Sequence, residues 1–370
     1  MLLLAVILSA LGRVPDDVEI SLLTMGPGGQ LWESAGHAGI RVRSHRHHRD
    51  LVYHWGVFDY TRPGFAPRFI AGDLRYSTIA VETLPYLMRY QGMGREVVEQ
   101  DLDLSPVQRE ALIGWMEDAI QPENRDYDYR LLTRNCATKA RDAIDHALDG
   151  RLREALQARP GHPARFHTRR LSRPLPHLWL GADLLLGAVA DRPVDAWAEA
   201  MTPVTLHDAV AAVQISGSPL VRRERVLVPS DRTRPLGGPP PTWPPLAAAL
   251  GIAAWAAVFS RRPRALAAVL LPAALLAGGA GLALWGVWAT AHDYFQYNAN
   301  ALIFSPLWLG LVAAWRRPAL ALVLARAGVG LAALGAVVGL AQRQDNLPWV
   351  ALGLILHGLA LWAARGAGRG

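Results

Sequence analysis

Thr133-Arg134-Asn135-Cys136-Ala137-Thr138-Lys139 holds the single cysteine of the 370-residue chain and places it where a helix is expected to begin. A loop with Tyr127 and Tyr129 leads in. Beyond Cys136, apolar residues recur at Ala140, Ala143, Ile144, Ala147 and Leu148, the spacing of one helical face. Cys136 therefore belongs to the first turn. Unpaired backbone N–H groups and the positive end of the helix dipole collect there, which favours a thiolate and can also hold an oxyanion. The same position suits a buried core thiol, and the residues alone leave both readings open.

A nucleophilic thiol needs a base, a group that orients the base, and donors for the developing oxyanion. Upstream, Val18 to Leu22 alternates as a strand and the Gly26 to Gly29 turn ends it. His37-Ala38-Gly39-Ile40-Arg41-Val42 and Leu51-Val52-Tyr53-His54-Trp55-Gly56-Val57 read as a hairpin, which puts His37 and His54 on neighbouring strands. Further strands are expected at Tyr76 to Val81 and within Arg95 to Leu104. Ser105-Pro106-Val107-Gln108 is a capping-box signal for a helix to Ile120. Arg151 to Arg173 reads as an irregular basic surface, and Leu178 to Ala190 and Thr205 to Val213 as helices. The class is α+β, and the order His, His, Cys is that of a circularly permuted papain-like domain.

The composition changes near Pro244. Five apolar segments follow, about 246–260, 265–289, 299–315, 319–341 and 347–364, most close to the length a membrane span requires. Arginines cluster at Arg261, Arg262 and Arg264, at Arg316 and Arg317, and at Arg365 and Arg369, whereas Ala291 to Asn298 has none. The positive-inside rule then makes the arginine loops and the C-terminus cytoplasmic and puts the N-terminal half outside. Expected divisions are a signal-like or anchor segment at 1–12, a cysteine-bearing core domain at 16–150, an Arg-rich helical extension at 151–230, a Pro-rich linker at 231–245 and a transmembrane bundle of about five helices at 246–370. The net charge of +7 rests on arginine, with Lys139 the one lysine, and no zinc or aromatic-interleaved basic pattern accompanies it. Anionic lipid is therefore the expected counterpart, not nucleic acid. One cysteine makes no intrachain disulfide. A monomer is expected.

Three separated blocks, Trp32-Glu33-Ser34-Ala35-Gly36-His37-Ala38-Gly39-Ile40-Arg41-Val42, Leu51 to Tyr60, and Arg134-Asn135-Cys136-Ala137-Thr138, resemble the N-terminal periplasmic domain of the Lnb family of lipoprotein N-acyltransferases. More distantly they resemble the permuted papain-like group that includes lecithin:retinol acyltransferase. The resemblance runs from about Val18 to Val213. It implies an acyl thioester on Cys136, His37 as base, and His54 orienting or polarising that base where many relatives carry asparagine. It also implies a phospholipid acyl donor, an apolipoprotein acceptor, the bacterial inner membrane as location, and no cofactor. Peptidoglycan peptidase, phospholipase and non-enzymatic scaffold are the competing classes.

Asn135 is a candidate for the oxyanion site or for the helix cap, and Glu33, Asp59 and Tyr129 are candidates to line the site. His45, His47 and His48 fall in a charged turn without carboxylates at ligand spacing, so no metal site is expected. His292, Asn298 and Asn300, in the polar loop between the second and third apolar segments, are candidates to position lipid. Arg151 to Arg173 is a candidate for holding lipid phosphate.

Overall fold

The computed structural model describes residues 17–29, 33–59, 61, 63–230, 238–259, 263–314 and 316–367. The signal-like segment at 1–12 and residues 231–237 of the expected Pro-rich linker 231–245 lie outside the described residues. Strands Val18–Met25 (β1), His37–Ser44 (β2), Arg49–Val57 (β3), Arg75–Glu82 (β4), Val97–Leu102 (β5), Asp126–Asp128 (β6) and Val221–Val228 (β7) form one antiparallel sheet. Its order is β7-β5-β1-β2-β3-β4-β6. The hairpin register pairs Gly39 with His54, and β1 pairs Met25 with His37.

Alternation along the strands sends side chains to two faces. Ile20, Leu22, Ile40, Val42, Tyr53 and Trp55 pack against helices Pro106–Ala119 and Cys136–Ala147. Leu23, Met25, Val52 and Val97 face the other way, onto Tyr86 and Tyr90 of helix Thr83–Gly92. In chain order the helices of this unit begin with Phe65–Ala71 (α1), Thr83–Gly92 (α2), Pro106–Ala119 (α3) and Cys136–Ala147 (α4). The Ser105–Gln108 capping box forms at the start of α3. On the α2 side of the sheet, buried Arg41 binds Asp50 at 2.5 Å and Glu99 at 2.7 Å, and Arg225 joins Glu99 at 2.5 Å. These pairs tie β2, β3, β5 and β7 together, and buried charges persist only when paired in this way.

The described residues divide into two units, Met1–Ala164 with Pro193–Gly237, and Arg165–Arg192 with Gly238–Gly370. This differs from the expected grouping of 151–230, because the segment Arg165–Arg192 clusters with the apolar helices. Its buried polar groups explain why. Arg165 bonds Asp183 at 3.0 Å and Asp191 at 2.7 Å and also reaches the carbonyls of Asp183, Leu186 and Gly187. Arg169 bonds Asp183 at 2.6 Å and also pairs with Asp345. The stretch expected to be irregular is helical at Arg151–Gln157 and Ala164–Ser172.

Among the described residues, three helices are long and apolar enough to cross a membrane, within Ala268–Trp288, Pro318–Ala341 and Leu347–Gly366. The other two expected spans are shorter. Pro244–Phe259 has 16 residues, and the third segment is broken into Asn300–Ile303 and Leu307–Ala313.

Candidate functional site

Helix α4 starts where the sequence places it, and its cap explains why. Asn135 Oδ1 accepts from the Thr138 amide at 3.0 Å, while the Asn135 amide donates to Thr138 Oγ1 at 2.8 Å. Both remaining donors on Asn135 Nδ2 go to carbonyls, Leu131 and Met201, each at 2.8 Å. The side chain is fully occupied as a cap and a brace, which leaves it no donor for an oxyanion.

Cys136 is partly exposed. The backbone N–H groups of Ala38, Ala137 and Cys136 itself lie near enough to the sulfur to favour its thiolate. Ala38 lies in β2 directly after His37, so the helix start abuts the beginning of that strand. His37 Nε2 lies 3.2 Å from His54 Nδ1, which makes the two histidines of the hairpin a hydrogen-bonded pair. His54 in turn packs on the Tyr86 ring, 5.0 Å between centroids. No hydrogen bond joins Cys136 Sγ to either imidazole among the described residues; the strand pleat turns both rings toward α2, and the thiol meets the neighbouring backbone instead.

Burial dominates the titration of all three groups. It pushes the Cys136 thiol up to about 11, with the three amides and the charge of Arg95 only partly offsetting it. It lowers His37 well below the usual imidazole range, helped by His54, Arg95 and Arg89, and brings His54 down to about 4, helped by Arg89. The resting site is therefore a neutral thiol beside neutral imidazoles. Burial raises the pKa of Tyr86, Tyr90, Tyr127 and Tyr129, and the charge that Cys136 would carry adds to it at each of them. Four phenols thus lie within electrostatic reach of the thiol.

Of the other expected residues, Tyr129 is within electrostatic reach of the thiol and packs on the Tyr76 ring, 4.4 Å between centroids. Glu33 pairs with Arg95 at 3.2 Å. Asp59 instead makes a local turn, accepting from the Thr61 amide at 2.9 Å and its hydroxyl at 2.6 Å. Asn298 and Asn300 are 3 % and 0 % exposed. Asn298 donates to the carbonyls of Leu184 and Leu185 and accepts from Gln344 at 2.8 Å; Asn300 donates to Leu184 and accepts from Asn346 at 2.8 Å. These asparagines clasp protein backbone, and the lipid-positioning role expected of them has no free polar atoms to use. His292 packs on Phe295 at 5.5 Å in the same loop. Arg165 and Arg169 are likewise spent on carboxylates, which removes them as phosphate ligands. No cluster of metal-ligating side chains occurs among the described residues.

Arg95, Tyr86 and Tyr90 were not foreseen. The tyrosines carry a signal, the i, i+4 spacing of one helical face; Arg95, after the Gly94 turn, looks like any other arginine of the sequence.

Residues 14–173 match the family model of the Lnb N-terminal periplasmic domain. The match makes residues 14–173 an Lnb N-terminal periplasmic domain. No curated protein and no solved structure matches it. The Lnb match contains Cys136, His37 and His54, ends at the helix Ala164–Ser172 that carries Arg165 and Arg169, and leaves the apolar helices outside. A periplasmic Lnb domain joined to helices able to cross a membrane is the arrangement of an inner-membrane protein with its N-terminal domain in the periplasm.

Proposed function

We propose that this protein is a lipoprotein N-acyltransferase that carries the acyl chain as a thioester on Cys136. The observation that carries the reading is the meeting of the α4 start with the His37 strand inside an Lnb domain: the thiol lies near the amide of the residue that follows His37, and His37 is paired with His54. In the tautomer in which His37 Nε2–H donates to His54 Nδ1, the lone pair on His37 Nδ1 is free to take the thiol proton once the ring turns toward Sγ.

The steps balance as follows. Sγ attacks an ester carbonyl of a phospholipid as its proton passes to His37. The helix-start amides hold the oxyanion, the C–O bond breaks, and the alcohol of the lysophospholipid leaves with the proton from His37. The free amine of a diacylglyceryl-cysteine apolipoprotein then attacks the thioester and loses a proton to His37. The C–S bond breaks, an amide forms, and the thiol is restored. The burial that raises the Cys136 thiol favours the amine over water by keeping the thioester in an apolar setting.

The test is mass spectrometry of lipoprotein N-termini from cells lacking other N-acyltransferases and supplied with this protein or its Cys136→Ala variant. Triacylated N-termini with the wild type and diacylated ones with the variant are expected. Diacylated lipoproteins in both samples overturn the proposal.

A further inference from the structure

Arg95 lies two residues before β5, at the sheet end where Met25 pairs with both His37 and Val97. Only 3 % of it is exposed. Nε donates to the Gly26 carbonyl at 2.9 Å, Nη1 pairs with Glu33 at 3.2 Å, and the guanidinium lies 4.8 Å from the centre of the Tyr90 ring. Nη2 is buried with no hydrogen-bond partner among the described residues. An unused donor out of water is costly, so its retention beside a nucleophile points to an acceptor that arrives with the substrate. The charge of Arg95 is felt at both Cys136 and His37, and that of Arg89, on the exposed side of α2, at both histidines. Two guanidinium groups bear on the imidazoles against one paired carboxylate, so the site is suited to an anion.

We infer that Arg95, with Arg89 at the mouth, is the phosphate subsite for the acyl donor, taking a non-bridging oxygen of a glycerophospholipid phosphodiester. The alternative acceptor, the oxyanion of the tetrahedral intermediate, sits one bond from the carbon that binds sulfur, and backbone amides already surround that sulfur. Arg95 reaches Sγ through its charge and makes no hydrogen bond to it. The phosphate of a glycerophospholipid stands several bonds beyond the ester carbon, which matches that longer reach. A bidentate or monodentate guanidinium–phosphate contact is among the stronger polar interactions, more so when buried.

The inference rests on the acyl-thioester reading and is tested so that the two can fail separately. The full chain in detergent is mixed with phosphatidylglycerol or with diacylglycerol of the same acyl chains, and the initial rate of acyl adduct formation on Cys136 is followed by intact mass. The wild type is expected to prefer the phosphatidyl donor at least tenfold. Arg95→Gln and Arg89→Gln are each expected to slow the phosphatidyl reaction about tenfold or more and to shrink that preference. Arg89 is exposed, so its variant decides the matter if Arg95→Gln does not fold. Equal rates from both donors in the wild type overturn the phosphate subsite alone, as does an Arg89→Gln variant that keeps the full preference or slows both donors equally. No adduct from either donor overturns the thioester reading and this inference with it.

Discussion

At the scale of the residue, Cys136 shows two opposing influences whose sizes decide its chemistry. Three backbone amides and a nearby guanidinium favour the thiolate, but burial outweighs them and holds the thiol at about 11. A helix start is therefore not sufficient to activate a cysteine whose surroundings are apolar. At neutral pH the thiol is protonated and His37 is neutral, so proton transfer has to accompany attack. The expected outcome is that alkylation of Cys136 by iodoacetamide, followed by mass, rises about tenfold per pH unit from 7 to 10, the behaviour of a thiol below its pKa. A plateau between pH 5 and 8 would show a resting thiolate–imidazolium pair and refute this. The places of Cys136, His37 and His54 were legible in the sequence because a lone cysteine at a helix start and two histidines on paired strands are patterns of spacing. Arg95 was not, since what distinguishes it is burial and an unused N–H, neither of which has a sequence signature.

At the scale of the element, α4 depends on one side chain. Asn135 supplies the cap, worth about 1 kcal/mol, and braces two buried carbonyls whose loss costs about 1 kcal/mol or more each. Asn135→Ala is expected to destabilise the first turn by roughly 3 kcal/mol, about a hundredfold in local opening. Amide hydrogen exchange at Ala137 to Lys139 reads this directly; unchanged protection would mean that Asn135 holds nothing. The hairpin and β1 were readable because their apolar residues alternate, and the capping boxes because they are local chemistry. Helix α2 and strand β7 escaped for a physical reason. Leu84 and Met88 of α2 are 70 % and 61 % exposed while Tyr86 and Tyr90 are buried, so its apolar residues do not mark a single inward stripe. Val221–Val228 carries Arg222, Arg223, Glu224 and Arg225 and becomes an edge strand only because Asp101 and Glu99 on β5 await those arginines, a match between positions more than 120 residues apart.

At the scale of the whole molecule, the polar clasp of the second unit fixes which loops share a side of the membrane. Asn298 bonds Gln344 and Asn300 bonds Asn346, and all four lie against or beside the backbone of Leu184 to Leu186. The loop before Asn300 and the loop after Ala341 are therefore together. Helix Pro318–Ala341, at 1.5 Å per residue, carries the chain about 36 Å away from that clasp. The stretch from Asn300 to Arg317 must then travel back across the same distance, although helix over Asn300–Ala313 alone would reach only about 21 Å. The break at Phe304-Ser305-Pro306 lengthens it, and neighbouring helices take up the carbonyls it frees: Trp285 Nε1 donates to Ala301 and His357 Nε2 lies 2.8 Å from the Ile303 oxygen. Glycine is required where those helices approach, since a Cβ at Gly281 would stand 1.9 Å from the Phe304 oxygen. A membrane crossed by Pro318–Ala341 would therefore separate Asp293 from Arg316, with Asp293 on the side of Arg165–Arg192. In a Cys136→Ser background, Asp293→Cys is expected to react with an impermeant maleimide in cells whose inner membrane is intact, and Arg316→Cys only after that membrane is permeabilised. Equal labelling of both positions in intact cells would put both ends of Pro318–Ala341 on one side of the membrane and overturn this topology.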